Sequence, residues 1–319
     1  MKTRFVIIFL ITTLNAKAQD IHFSQYKKST FFTNPSFTSF QNSDYLILLQ
    51  KRNQWQVVAD PFSTFIMSIE SKNIVRNNSF GIHFMNDIAG DARYQTTGSI
   101  INYSKFIRYS SKTFFAFGLS AGFYQRKISF DNLVFIEQEN FDNVSFYYPD
   151  INFGLLNKQI INNSIDLYSG ISLFHINRPN QSLLESDKEL LYPRLNIHTK
   201  ANILFYDNWK ITPHIFFSNQ NINQELIIGS ELHYLLYDDK NIFFGFGTNY
   251  RYKDAVYYNA NIKAGSFEVI LNYDVNISSL KTASNYNGAY EFLILYEWNK
   301  SKKHKQTINI KQKKCPKYL

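Results

Sequence analysis

Apolar and polar residues alternate along most of this chain in segments of about ten residues, and this alternation limits its fold more than any other feature. In Thr113–Lys127, for example, Phe115 and Leu119 fall on one face while Gly118 and Gly122 fall on the other. A period of two is that of a β-strand between an apolar and a more polar environment. After the first eighteen residues no apolar stretch reaches the ~20 residues that a transmembrane helix needs. The pattern therefore favours strands that cross a membrane.

The alternation recurs often enough to predict an all-β, closed antiparallel transmembrane β-barrel of about fourteen strands. The expected strands are 45–57, 62–72, 78–88, 92–107, 113–127, 148–158, 163–175, 194–206, 209–220, 224–237, 241–252, 255–263, 266–276 and 287–298. An even number is typical of a single-chain bacterial outer-membrane barrel, and the short connections predict antiparallel order. Because strand boundaries are uncertain by about 2–4 residues, twelve or sixteen strands also fit.

The composition agrees with strands rather than with helices. The chain has 30 Phe and 22 Tyr but only 7 Pro, and aromatic residues favour strands. In hydrocarbon every backbone N–H and C=O must pair within the protein, so a strand-rich membrane domain has to close on itself. Aromatic residues near strand ends are candidates for the interfacial girdles: Tyr45, Trp55, Tyr94, Tyr109, Tyr147, Trp209, Tyr296 and Trp298. The alternative is a soluble β-sandwich or propeller, although no repeat at a fixed blade spacing is present.

The N-terminus has the layout of a secretory signal peptide. Lys2 and Arg4 precede the short apolar run Phe5–Leu14, and Asn15–Ala18 ends in a small-x-small pattern before Gln19. We therefore expect residues 1–18 to direct export and to be cleaved, and together with the predicted barrel this indicates the bacterial outer membrane. The alternative, an uncleaved anchor helix, is disfavoured because the run is too short to span ~30 Å of hydrocarbon.

The remaining chain divides into an N-terminal segment (19–44), the barrel (45–298) and a basic tail (299–319). The tail carries no acid and eight lysines: Lys300, Lys302, Lys303, Lys305, Lys311, Lys313, Lys314 and Lys317. Without these eight charges and the three of the signal (Lys2, Arg4 and Lys17), the formal charge of +9 becomes −2 for residues 19–298. A nearly neutral body argues against nucleic acid as a partner. The tail is either a solvated extension or a docking segment for an acidic partner.

No catalytic, cofactor or metal motif stands out in the sequence. His175 is better interpreted as a hydrogen-bonded residue at the barrel rim than as a catalytic base, since no nucleophile has matching spacing. Asp87, Gly90 and Asp91 fit a tight turn between strands better than a cation site. Cys315, the single cysteine, has no visible activating base. An enzyme is not expected, although a barrel hydrolase with a serine–histidine pair stays open as a third hypothesis.

Short motifs in the same order along almost the whole mature chain resemble the PorP/SprF family of membrane proteins. They are Gln19–Tyr26, Asn34–Thr38, Arg52–Trp55, Pro61–Phe65, Asp87–Gly90, His175–Pro179, Arg251–Ala255, Tyr273–Leu280, Gly288–Glu291 and Cys315–Tyr318. Within them we take the following residues as candidate partner contacts: Gln25, Tyr26, Asn34, Pro35, Gln54, Trp55, Asp87, Gly90, His175, Asn177, Pro179, Arg251, Asp274, Glu291, Cys315 and Pro316.

The resemblance implies an outer-membrane accessory of the type IX secretion and gliding machinery. Such a protein is expected to be needed for export or surface attachment of a particular adhesin-type client with a C-terminal secretion signal domain. Other expected partners are type IX secretion components, a periplasmic peptidoglycan-associated protein and outer-membrane lipid. The tail is expected in the periplasm, because an even strand count leaves both termini on that side. The loop Phe135–Tyr148 offers aromatic anchors for a partner or merely caps the barrel. The alternative function is a passive or solute-selective channel.

Overall fold

The computed structural model describes residues 20–54, 62–90, 94–128, 144–182, 189–206, 208–237, 242–278, 281–282 and 284–300. They form one closed antiparallel barrel in which each strand pairs with its neighbours in the chain and β1 pairs with β14. The strands are β1 (Tyr45–Gln54), β2 (Phe62–Val75), β3 (Asn78–Ala89), β4 (Tyr94–Arg108), β5 (Thr113–Ile128), β6 (Val144–Asn162), β7 (Ile165–Phe174), β8 (Arg194–Phe205), β9 (Trp209–Gln220), β10 (Asn223–Tyr237), β11 (Ile242–Arg251), β12 (Ala255–Ala264), β13 (Phe267–Asn276) and β14 (Asn287–Trp298).

The predicted fold class and strand number are confirmed, with small differences at strand ends. The largest difference is in β6, which begins at Val144 rather than at residue 148 because it pairs with β5 as far as Ile128. β1 ends at Gln54, and the predicted extension to residue 57 lies outside the described residues. Most of the connection 128–147 and of the loop Phe135–Tyr148 also lies outside them.

Successive side chains of each strand face lipid and lumen in turn. Ile82 and Ile101 on the outer face are each 64 % exposed, whereas the inward-facing His83 and Asn102 are fully buried. An apolar outer surface of this kind is stable only in contact with hydrocarbon. None of the helices among the described residues is long and apolar enough to cross a membrane.

The two ends of the barrel differ in the length of their connections. At one end, which we call the terminal mouth, β1 begins opposite the end of β14, with Tyr45 beside Trp298. Its connections are short, such as residues 76–77, 163–164 and 265–266. The opposite end, the loop mouth, carries the connections 55–61, 129–143, 175–193 and 277–286. Long loops on one side and short turns on the other are usual in outer-membrane barrels.

Aromatic side chains lie near both mouths. At the terminal mouth, the rings of Tyr45 and Trp298 stack at 5.1 Å, and Trp209 packs against Tyr234 at 4.7 Å. At the loop mouth, Tyr147 stacks on Phe123 at 5.5 Å. Side chains of this type are suited to the membrane–water interface.

Residues 20–44, which precede β1, fold back inside the barrel and fill its lumen; we call them the plug. The plug contains one helical turn, α1 (Thr30–Thr33), followed by a 3₁₀ helix (Pro35–Phe40). Asn34 caps the 3₁₀ helix by accepting a hydrogen bond from the Ser36 N–H at 3.0 Å, and Pro35 occupies its first position. Asn and Pro are favoured at these two positions because the first supplies an acceptor and the second needs no donor.

The apolar core lies between the plug and the inner wall. Phe23 and Phe31 of the plug pack against a cluster of buried inward-facing side chains that includes Leu48, Ile100 and Leu293. A second cluster joins Tyr26 of the plug to Phe216, Ile227 and Tyr257. The barrel therefore has a packed interior to which the plug contributes directly.

Candidate functional site

The plug runs along the lumen from the loop mouth to the terminal mouth. At the loop mouth, the Asp20 N–H donates to Gln220 at the end of β9 (3.2 Å). At the terminal mouth, the Asp44 carbonyl accepts a hydrogen bond from the Lys72 N–H at 2.7 Å. We expected both termini on the same side of the membrane. The start of β1 and the end of β14 do lie at the same mouth, but Asp20 lies at the opposite one. Sequence reasoning had no signal for it, because the plug has no regular period.

Four charged side chains on the wall hold the plug just inside the loop mouth, and we call them the clamp. They are Arg52 on β1, Arg251 on β11, Asp274 on β13 and Glu291 on β14, and each is at least 96 % buried. Arg52 contacts both acids, and Arg251 Nη1 lies 3.3 Å from Asp274. Arg251 also pairs with Glu225 (2.9 Å) and Asp254 (3.1 Å) next to the clamp, so each buried charge has an opposite partner that offsets its desolvation.

The clamp binds the backbone of the plug as well as its side chains. Glu291 accepts hydrogen bonds from the consecutive N–H groups of Ser24 (2.6 Å) and Gln25 (3.0 Å). The Ser24 hydroxyl donates to Asp274 at 2.7 Å and accepts from Arg52 (2.9 Å) and Arg251 (2.8 Å). Hydrogen bonds with charged partners are about twice as strong as neutral ones, so this is a firm attachment.

Asp20 makes a second attachment at the rim, which we call the clasp. His175 lies between two acids, with Nε2 2.5 Å from Asp20 and Nδ1 2.8 Å from Asp150. Arg194 adds a further contact to Asp20 at 3.3 Å. Burial lowers the pKa of His175, but the charges and hydrogen bonds of Asp20 and Asp150 outweigh it and raise the pKa to about 9. The imidazole is therefore charged at neutral pH and bridges the plug to the wall.

Glycines in the wall make room for the plug where it lies closest to the strands. A Cβ at Gly118 would collide with the backbone of Pro35 and Ser36, and one at Gly154 would collide with the Asn34 side chain. Asn34 Nδ2 donates to the wall carbonyls of Leu155 (2.9 Å) and Ile171 (3.1 Å). The small residues on the inner face of β5 therefore match the shape of the plug.

Several of the candidate contact residues from the sequence converge on the plug. Gln25, Tyr26, Asn34 and Pro35 belong to it, and the wall residues Arg251, Asp274, Glu291 and His175 hold it. The sequence thus singled out these residues as motif positions without showing that they meet. It missed the partners Asp150 and Gly154, it quoted Ser24, Arg52 and Asp20 only as parts of motifs, and it noted Gly118 only as a small residue on one face of a strand. The signal in the sequence that points to such contacts is a charged residue at an inward-facing position of a strand in which apolar and polar residues alternate.

The other candidates lie apart from the plug or outside the described residues. Asn177 holds the loop after β7 through Pro149 O and Ile151 N, and the Pro179 carbonyl accepts from the Leu191 N–H. Gln54 ends β1. Trp55, Cys315 and Pro316 lie outside the described residues.

The Asp87–Gly90 segment differs in part from the expected turn. Asp87 lies within β3, where it accepts a hydrogen bond from the Thr64 hydroxyl at 2.6 Å, and only Gly90 takes up the left-handed backbone of a turn, with φ of 64°. Asp91 lies outside the described residues. No group of residues suited to a metal ion occurs in the part of the chain that the structure describes.

Comparison with known proteins assigns the family. The family model described as "Type IX secretion system membrane protein PorP/SprF" matches residues 15–296. The chain belongs to the PorP/SprF family. This confirms the resemblance, and it makes the protein an outer-membrane barrel of a type IX secretion family rather than an enzyme. A search of curated protein sequences finds no match.

Solved structures similar to this PorP/SprF protein are outer-membrane barrels. The CymD monoaromatic hydrocarbon channel is 8 % identical, with a TM-score of 0.52, over 85 % of this chain and 93 % of its own. The toluene transporter TodX of Pseudomonas putida is 8 % identical, with a TM-score of 0.48, over 84 % and 91 % of the two chains. The KdgM porin is 7 % identical, with a TM-score of 0.38, over 80 % and 99 %. Only the similarity to CymD has a TM-score above 0.5. Because the identity is 8 %, that similarity supports the fold alone.

Proposed function

We propose that this barrel serves the type IX secretion system by exporting, or holding at the cell surface, a particular adhesin-type protein with a C-terminal secretion signal domain. The observation that carries the proposal is the filled lumen. The clamp, the clasp and the close contacts at Gly118 and Gly154 hold the plug along its length. A lumen occupied in this way suits a rigid docking platform better than a path for solutes.

The orientation in the membrane follows from the same proposal. The loop mouth faces the outside and the terminal mouth faces the periplasm, in keeping with the signal-like N-terminus and the longer connections of the loop mouth. The client binds at the loop mouth, where Asn177 orders the connection after β7. The basic tail, which follows β14, meets a periplasmic peptidoglycan-associated partner.

The first experiment is an affinity pull-down of the tagged barrel from detergent-solubilised outer membranes, with mass spectrometry of the proteins recovered. The controls are membranes without the tag and a second tagged outer-membrane barrel of unrelated family. We expect a large secreted adhesin or type IX components in the sample and in neither control.

The alternative function, a solute channel, is tested on the same preparation in planar lipid bilayers. We expect the full chain to show no steady ion conductance, because the plug remains bound. Recovery of a clean barrel without partners, together with steady conductance, would reject the docking proposal and support the channel.

A further inference from the structure

A cavity of about 200 Å³ lies at the terminal mouth, between the plug and the halves of β8–β14 nearest that mouth. Many of the side chains that line it are lysines. Five lysines line it: Lys27 and Lys28 from the plug and Lys200, Lys210 and Lys263 from the wall. Three glutamates, Glu231, Glu268 and Glu297, line it as well. The cavity therefore has two more positive than negative side chains.

The three glutamates are already paired. Glu231 contacts Lys27 at 2.6 Å, Glu268 contacts Lys28 at 2.7 Å and Glu297 contacts Lys263. Within the described ranges no carboxylate lies within ion-pair distance of Lys200 or Lys210. These two ammonium groups are thus the excess charge of the cavity.

Aromatic rings support both lysines without neutralising them. Lys200 Nζ lies 5.3 Å from the Phe37 ring and 5.2 Å from the Tyr168 ring, and Lys210 Nζ lies 5.8 Å from the Phe243 ring. Cation–π contacts of this kind hold an ammonium group in place but leave it able to bind an anion. The aromatic walls also offer apolar contact to the methylene groups of a bound side chain.

We propose that this cavity binds a carboxylate side chain from an acidic peptide segment of a partner protein, with Lys200 and Lys210 as its charged ligands. The tail of the chain itself is an unsuitable occupant, because it has eight lysines and no acid and would be repelled. β14 ends at this mouth, and Lys300, two residues after it, adds a further positive charge there. This proposal concerns the opposite mouth from client docking and does not depend on it.

The test is fluorescence anisotropy of a fluorescein-labelled hexaglutamate peptide with the purified full-length barrel in detergent. The double variant K200Q/K210Q should weaken binding by roughly tenfold or more, since a hydrogen bond to a charged group contributes about that much. The matched control K51Q/K253Q removes two exposed lysines near the loop mouth. It should change the affinity less than about twofold, because salt screens exposed charges at the opposite end of the barrel from the cavity. The variant K200R/K210R should retain binding.

Retention of a folded barrel is checked for each variant by its heat-dependent shift on SDS gels, and the single variants replace the double one if it fails. Equal binding by wild type and K200Q/K210Q would overturn the proposal and assign the affinity to the tail. Inorganic phosphate provides a second arm: full displacement of the peptide by millimolar phosphate would reject a peptide site in favour of one for a free anion.

Discussion

At the scale of single residues, the clamp shows how buried charges fix a segment that has little regular structure. Arg52 and Glu291 face each other across the β1–β14 pair and are directly opposite in register, so the closure of the barrel itself creates the pair. Ser24 and Gln25 add hydrogen bonds to these two side chains, whereas Nε of Arg52 is buried without a partner among the described residues. The plug and the barrel seam therefore stabilise each other.

Removal of one member of the clamp should be costly. We expect Arg52→Met to lower the free energy of unfolding by about 3–5 kcal/mol, because Glu291 and Asp274 would be left buried with less compensation. The double variant Arg52→Met/Glu291→Met should recover part of this loss. Urea unfolding in detergent micelles, followed by tryptophan fluorescence, measures both. An Arg52→Met loss no larger than that of Lys112→Met, at an exposed position, would contradict the importance of the clamp.

The clasp should make the attachment of the plug depend on pH. The pKa of His175 is raised from 6.5 to about 9, so its stabilising contribution is complete below pH 6.5 and is lost as the pH rises toward 9. The pKa of Asp20 is lowered, with burial opposed by His175 and Arg194, so its contribution is present above pH 3.8 and is lost in stronger acid. The clasp is thus strongest between about pH 4 and 6.5.

Hydrogen–deuterium exchange of the peptide that contains Asp20 measures this dependence, after correction for intrinsic exchange rates. Protection should fall between pH 6.5 and 9 in the wild type, and the fall should be absent in His175→Gln. The same fall in both proteins would show that another group is responsible.

At the scale of elements, the fit between the 3₁₀ helix of the plug and the inner face of β5 depends on missing side chains. Gly118→Ala places a Cβ against the backbone of Pro35 and Ser36, which cannot rotate away as a side chain can. We expect a loss of about 1–3 kcal/mol in the free energy of unfolding and faster amide exchange in residues 30–40. Gly122→Ala is the matched control, because its Cβ meets the side chain of Tyr124 rather than the plug. Equal exchange in the two variants would contradict the fit.

The strands were predictable from the sequence and the plug was not, for a physical reason. A strand between lipid and lumen must alternate, so β5 and β8 are visible in their own residues. The plug has no such requirement, because its surroundings are supplied by distant strands: Ser24 and its partner Glu291 are 267 positions apart. The motif positions of the family pointed to many of these residues without showing their contacts.

At the scale of the whole molecule, the plug changes the number of times that the chain crosses the membrane. Fourteen strands are an even number, and the plug adds one more crossing in the opposite direction to β1. Asp20 and Lys300 consequently lie at opposite mouths, although β1 and β14 are neighbours.

With the loop mouth facing the outside, as proposed above, this arrangement predicts different accessibility for tags at the two ends. An epitope inserted directly before Asp20 should be reached by antibody on intact cells, whereas one placed after Leu319 should require permeabilisation of the outer membrane. Immunofluorescence with and without permeabilisation distinguishes them, with an epitope inserted after Ser182, in the connection at the loop mouth, as the control. Labelling of both terminal epitopes only after permeabilisation would contradict the path of the plug.

The contact of the plug with strands on all sides also constrains the order of assembly. If the ring closed first, the free end would have to thread from the terminal mouth to the loop mouth and carry Asp20 past the section where Asn34 and Pro35 now lie against Gly154 and Gly118. Laying the plug into a half-formed, open sheet avoids that passage. We therefore expect the pairing of β1 with β14 to be the last step of folding, so that the time for which this seam stays open sets how long the nascent chain has to find its own interior.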